Sequence, residues 1–179
     1  SADEIVIELD PGAAFGTGAH ATTAMCLRWL EHLVSPGMRV YDVGCGSGIL
    51  PVAAAKLGAG EVIAMDYDPV AVSVAEENIR ANNVTNVAVF ESDLLSICAG
   101  TEPAELITAN IIADIIIRLF DQLDEHLAPG GVLLASGIID DRIADVERAA
   151  REHGYTVLDM TCEKEWAAMI IRRSEELGF

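Results

Sequence analysis

Asp42, Gly44, Gly46 and Gly48 form a D-x-G-x-G-x-G run at the end of the apolar stretch Val40 to Val43. Asp66 ends a second apolar stretch, Val62 to Met65, about 20 positions beyond that turn. The chemistry such a set can do is to hold a nucleoside cofactor. The glycines let the backbone turn tightly and approach a ligand with no Cβ in the way. A carboxylate at the end of the next strand is placed to accept hydrogen bonds from ribose hydroxyls. A tight strand-to-helix turn with no ligand uses glycine too, but Asp42 in front and Asp66 behind favour the cofactor.

The glycine spacing separates two cofactor classes. A dinucleotide fingerprint reads G-x-G-x-x-G and aims a helix N-terminus at a pyrophosphate. Here Gly44, Gly46 and Gly48 read G-x-G-x-G behind a carboxylate that would repel a pyrophosphate. The same carboxylate suits a cofactor carrying an amino group and a sulfonium, so S-adenosylmethionine is expected over NAD.

The elements that must position these residues alternate. The pattern predicts a helix from Thr22-Thr23 to about 34 and strands over 39–43, 61–65, 86–91, 105–109, 131–136, 156–162 and 167–172. Helices are predicted over 49–57, 69–82, 112–127 and 141–153, with Pro69 in a first turn and Pro129-Gly130-Gly131 as a sharp break. Such alternation implies an α/β fold: a doubly wound, mostly parallel seven-stranded sheet of Rossmann-like type, its last two strands entering as a hairpin. The chain of 179 residues reads as one domain, 1–179.

Ligands of such sheets lie beyond the carboxyl ends of the strands. That rule gathers Gly44, Asp66, Asp93 and Asn110 at one edge. Asp93 can reach the exocyclic amine of an adenine or serve as a cap before Leu94. Asn110 ends the apolar strand Leu106 to Ala109, a place for an amide with polar work or for an ordinary turn. His20 is a candidate general base, and equally a residue that holds a glycine-rich loop in place. Cys45 between two glycines reads as a small buried residue rather than a nucleophile. Trp166 walls the substrate side or belongs to the core. Ile111, Ile112, Ile115, Ile116 and Leu119 stand at helical spacing and are expected to pack on the sheet.

Composition narrows the partners. A hydrophobic content of 51% argues against disorder. A formal charge of −18 disfavours direct binding of nucleic acid, whose phosphates need clustered Lys and Arg. It would attract a basic protein, or serve only to maintain solubility. No stretch approaches the ~20 uninterrupted apolar residues of a membrane span, and no basic-then-apolar leader opens the sequence. The four cysteines form no C-x-x-C pair, read as small buried hydrophobes of a reducing cytoplasm, and imply no metal.

The segment Leu9-Asp10-Pro11-Gly12-Ala13-Ala14-Phe15-Gly16-Thr17-Gly18-Ala19-His20-Ala21-Thr22-Thr23 closely resembles the lead into the methyltransferase domain of the PrmA family, which methylates large-subunit ribosomal protein eleven. The resemblance continues through Asp42 to Leu50, Asp66-Tyr67-Asp68-Pro69, Ala109-Asn110-Ile111, Ser136-Gly137-Ile138 and Glu165-Trp166. It implies that Thr23, Gly44, Asp66 and Asn110 bind S-adenosylmethionine. It also implies that residues 1–20 supply an N-terminal segment and a loop, Phe15 to His20, that folds over the cofactor. The substrate implied is a basic ribosomal protein of the large subunit. Two departures stand out. Family members carry a small N-terminal domain and linker, whereas Ser1 lies almost directly before the Leu9-Asp10-Pro11-Gly12 motif. Ala21 and Ala19 stand where the family commonly has proline and often threonine.

The reaction implied is displacement at a sulfonium methyl by a neutral amine. A lysine with an ordinary pKa of about 10.4 is mostly charged at neutral pH, so the pocket must favour its neutral form. Asn110 is the candidate acceptor for the amine's hydrogens, similar in role to the asparagine of the N-P-P-Y motif. Here Ile111-Ile112 follows instead of the aromatic, and the more open site suits successive methylations. Two other functions compete: a methyltransferase of the same fold acting on another protein or a small molecule, and a cofactor-binding module without catalysis.

Overall fold

The computed structural model describes residues 3–10 and 20–178. Strands β1 (Arg39–Val43), β2 (Glu61–Asp66), β3 (Val87–Glu91), β4 (Ala104–Asn110), β5 (Leu127–Ile139), β6 (Tyr155–Glu163) and β7 (Trp166–Arg173) form one sheet in the order β3-β2-β1-β4-β5-β7-β6. The first five strands pair in parallel, and β7 lies antiparallel between β5 and β6. The expected fold, including the closing hairpin, is the one observed.

Helices α1 (Ala21–Leu33), α2 (Ile49–Lys56) and α3 (Pro69–Ala81) precede the switch to α4 (Ala113–His126) and α5 (Ile143–Glu152). Alternation along the strands serves two faces. Tyr41, Val43, Ile107, Ala109, Leu133 and Ala135 pack with Ile116, Leu119, Phe120 and Leu123 of α4 and with Val146 of α5. Val40, Val62, Leu106 and Leu134 pack with Met25, Cys26 and Leu30 of α1 and with Leu50 and Ala53 of α2. Each fully buried leucine, such as Leu119 or Leu123, contributes about 2 kcal/mol by its removal from water.

Several expectations need correction. The α1 helix starts at Ala21 with His20 as its N-cap, because the imidazole takes the Thr22 N–H and so does the work expected of a threonine hydroxyl. Pro129-Gly130-Gly131 is not a break ahead of a short strand. β5 already pairs at Leu127, and the residues that follow bulge out before Val132 rejoins β4, with Gly130 at φ +74°. The apolar stripe of α4 begins at Ala113 and Ile116, since Ile112 precedes the helix and is exposed. Short 3-10 turns at Ser96–Cys98, Asp140–Arg142 and Ser174–Leu177 carried no periodic signal. Three cysteines are buried, but Cys162 on the edge strand β6 is exposed. Among the described residues no helix is long and apolar enough to cross a membrane.

Candidate active site

Strand register brings the candidates together. Val43 is paired with Met65 on one side and with Ala109 on the other, so the residues that follow, Gly44, Asp66 and Asn110, form one row at the carboxyl edge. Ser136 continues the row beside Asn110. From β1 the sheet proceeds to β2 on one side and β4 on the other, which is the switch point where open α/β sheets take ligands. A cavity of about 700 Å³ opens there, within the ~300–1,000 Å³ range of small-molecule sites. Thr23, Asp42, Gly44, Gly46, Asp66, Asp93 and Asn110 all line it. So do Ser92 and Arg118, which belong to no motif and reach the cavity only through the placement of β3 and α4.

The glycine turn is held from below and crowded from above. Gly44 and Cys45 both donate to the Met65 carbonyl, at 2.8 and 2.9 Å. Gly44 has φ +71°, and a Cβ there would overlap the Ile111 side chain. Gly46 donates its N–H to Asp66 Oδ2 at 3.0 Å, while Asp68 N–H donates to Oδ1 at 2.9 Å. Each carboxylate oxygen keeps a lone pair, so the Asp66 side chain, fixed by these two bonds, can still accept from a diol. Asp68 caps α3 through the Val70 N–H at 2.9 Å, with Pro69 in the first turn.

Asp42 is 2% exposed. The Thr108 hydroxyl donates to its Oδ1 at 2.5 Å, and Oδ2 has no hydrogen-bond partner among the described residues. Burial pushes its pKa up to about 7; the Thr108 bond opposes this and the neighbouring Asp66 charge adds to it. A buried, half-satisfied carboxylate at a cavity wall suits a cationic group. This fits the amino group and sulfonium of S-adenosylmethionine and does not fit a pyrophosphate.

Asn110 is held between α1 and β5. Its Nδ2 donates to Thr23 Oγ1 at 3.4 Å, a long bond that ties β4 to α1. Ile111 N–H donates to the Ser136 carbonyl at 3.1 Å. Gly137, at φ +81°, lies so close that a Cβ would stand 2.5 Å from the Ile111 carbonyl and 3.1 Å from Asn110 Oδ1. Below this wedge Ser136 donates to the Thr22 carbonyl at 3.4 Å.

The remaining candidates separate. Asp93 lines the cavity, but its carboxylate faces Arg118 at 3.3 Å, and the turn beyond it is held by Ser92, which takes the Ile97 N–H at 3.1 Å. His20 does not line the cavity. Its Nδ1 lies 2.8 Å from Thr22 Oγ1 and caps α1, and its ring stands edge-on to Trp166 at 5.3 Å. Trp166 is half-buried against the α1–α2 core. Burial raises the Cys45 thiol far above its ordinary value, leaving no thiolate for nucleophilic work. Phe15, with the rest of residues 11–19, lies outside the described residues.

Comparison with known proteins accords with this geometry. The family model described as ribosomal protein L11 methyltransferase (PrmA) matches residues 1–174. The ribosomal protein L11 methyltransferase of Caldanaerobacter subterraneus subsp. tengcongensis is 52% identical over 170 residues, 95% of this chain and 54% of that protein. That of Thermoanaerobacter pseudethanolicus is 52% identical over 171 residues, again 54% of its length. The crystal structure of the ribosomal protein L11 methylase from Lactobacillus delbrueckii subsp. bulgaricus superposes with a TM-score of 0.87 at 38% identity, covering 96% of this chain and 86% of that one. The chain spans about half the length of the curated relatives it matches. With the matched family model running through both the glycine turn and the Asn110 wedge, the chain belongs to the ribosomal protein L11 methyltransferase (PrmA) family.

Proposed function

We propose that residues 1–179 are a catalytic domain that transfers methyl groups from S-adenosylmethionine to amino groups of a protein. The target proposed is large-subunit ribosomal protein L11, at lysine side chains or its N-terminal amine, in the cytoplasm. The observation that carries the reading is the row of Gly44, Asp66 and Asn110 around one cavity, with Asp42, one of whose buried oxygens has no partner among the described residues, also in its lining. The names of the relatives support the substrate, and the charge of −18 suits a basic one.

When bound, S-adenosylmethionine supplies an electrophilic methyl on a sulfonium. Asp66 holds ribose hydroxyls, its carboxylate already oriented by the Gly46 and Asp68 N–H groups. Asp42 would offset the charge of the amino group, Gly44 would let the backbone approach, Thr23 supports Asn110, and Asp93 would accept from the adenine amine beside its pairing with Arg118. Asn110 turns its carbonyl oxygen to the substrate amine and orients the lone pair. Desolvation by Ile111 and its neighbours favours the neutral amine. We assign His20 to capping α1, with solvent taking the amine's proton.

Intact-mass analysis of purified L11 incubated with this chain and S-adenosylmethionine tests the reading, with Asp66→Ala as control. Increments of one methyl mass that vanish in the control are expected. Calorimetric cofactor binding without any increment would place substrate recognition outside this chain or identify another target.

A further inference from the structure

Residues Val6 to Asp10 run alongside α3 outside the sheet, and side chains hold their backbone. Asn82 takes both polar groups of Glu8: the Glu8 N–H donates to Oδ1 at 2.8 Å, and Nδ2 donates to the Glu8 carbonyl at 2.7 Å. Asn78, one helical turn earlier, does the same for Asp10, at 2.9 Å each way. Lys56 Nζ donates to the Val6 carbonyl and reaches Asn82 Oδ1 at 3.2 Å. Alternate backbone positions are thus met by side-chain partners, while Ile7 and Leu9 between them pack on the α1–α2 core.

Asn78 makes one more bond. Its Nδ2 also donates to the Ser47 carbonyl at 2.7 Å, inside the glycine turn. Ser47 is fully buried, and a Cβ on the next residue, Gly48, would lie 3.2 Å from the Ala75 backbone of α3. Ala71, Ala75 and Asn78 follow one stripe of α3, and Asn82, at the C-cap, continues it. Ala71 lines the cavity, Ala75 and Asn78 meet the turn, and Asn82 meets the segment. An amide offers two N–H donors and one carbonyl oxygen. Asn78 divides them between turn and segment, and at 2% exposure no water readily replaces a lost partner.

From this juxtaposition we propose that Asn78 is a positioning residue of the cofactor site: it grips the glycine turn and the Val6–Asp10 segment with one amide, so that cofactor binding and seating of the segment reinforce each other. The proposal rests on the cofactor reading above. A ligand that stiffens the turn fixes the Ser47 carbonyl, and with it the orientation of the amide that the segment needs. Linkage makes the two effects equal and reciprocal.

The test uses the full chain and S-adenosylhomocysteine, with amide hydrogen exchange at Glu8 and Asp10 measured beside calorimetric affinity. Saturating ligand is expected to raise protection of both amides about fivefold or more, the lower end of ordinary couplings. Asn78→Asp keeps the oxygens but removes the donors. It should abolish that gain and weaken binding by a similar factor. Asn82→Asp loosens Glu8 without touching Ser47, and added to Asn78→Asp it should cost no further affinity. Should Asn78→Asp not fold, Lys56→Met loosens the segment from a point remote from the turn and should still weaken binding. Protection that is the same with and without ligand would overturn the coupling alone, as would unchanged affinity in the variants. Failure of the unaltered chain to bind S-adenosylhomocysteine would overturn the cofactor reading, and the coupling with it.

Discussion

Thr108 and Asp42 are cross-strand neighbours on β4 and β1, and the Thr108 hydroxyl satisfies Oδ1 of Asp42 at 2.5 Å while Oδ2 is left buried without a partner among the described residues. Half of the carboxylate is therefore tied into the sheet, and half lies buried without a partner in a residue that lines the cavity. A buried polar atom without a partner costs stability, and Asp42 carries that cost beside the cavity.

The first consequence concerns stability. The folded-state pKa of Asp42, about 7, lies above its ordinary value of 3.8, so the folded chain holds a proton that the unfolded chain has released. Asp42's contribution is favourable at acid pH and is lost as pH rises from about 4 to 7, by roughly 1.4 kcal/mol per pH unit. Asp42→Asn removes this dependence. Denaturant titrations of both chains at pH 4, 5.5 and 7 should show the variant gaining on the parent by ~3 kcal/mol over the interval. A constant difference would mean that Asp42 ionises in the fold as it does in water.

Cofactor binding should follow the opposite sign. A cationic amino group beside Oδ2 favours the ionised carboxylate, so affinity for S-adenosylmethionine should rise with pH and level off above about 7. Calorimetry at pH 6 in two buffers of different ionisation enthalpy should reveal proton release on binding. Asp42→Asn should bind more weakly, with its release diminished. Identical heats in both buffers would remove Asp42 from the binding reaction.

Gly137→Ala tests the wedge around Asn110. The new methyl would have to adopt φ +81°, at roughly 1–2 kcal/mol for an L residue, and would press on the Ile111 carbonyl and Asn110 Oδ1. A lower melting temperature is expected, together with a loss of methyl-transfer rate larger than the loss of cofactor affinity. Single-turnover rates set beside calorimetric affinities read this split, and equal losses in both would show that Gly137 serves the fold alone.

His20 separates a cap from a base. Replacing it by alanine removes the bond to the Thr22 N–H and should cost ~1 kcal/mol, with turnover falling less than tenfold. His20→Asn, which caps but does not titrate near neutrality, should recover the stability and retain turnover. A general base would instead lose about a hundredfold or more in either variant. A rate profile against pH in His20→Asn that matches the parent would complete the assignment.

Local rules made much of the molecule legible. Short apolar or alternating runs located all seven strands. A central strand such as β1 is buried on both faces and needs uninterrupted apolar residues, whereas the edge strands β3 and β6 are largely exposed and are legible from their β-branched content. The D-x-G-x-G-x-G run and Asp66 pointed to a cofactor because a turn without Cβ atoms and a carboxylate at a strand end are requirements of chemistry that sit within one βαβ unit. The alternation of elements, with the parallel-sheet rules, was enough to place Asn110 at the same edge.

What the sequence left open depended on neighbours distant in the chain. The Asn78 and Asn82 clamp carries one local signal, two asparagines four apart on a helix stripe with Ala71 and Ala75, but its partners, Glu8, Asp10 and Ser47, lie on other elements. That His20 caps α1 depended on how the chain enters that helix, and the bulge of β5 on where Leu127 meets Ala104. The sequence by itself determined the type of each strand and α-helix and the class of ligand, since these follow from periodicity and from which residue types can turn, cap or carry charge. Only the tertiary structure decided that Asp42 is half-satisfied, that Gly137 confines Asn110, and that one amide joins the glycine turn to the Val6–Asp10 segment. Those are distances between backbone and side-chain groups from separate elements, and they exist only once the sheet register is fixed.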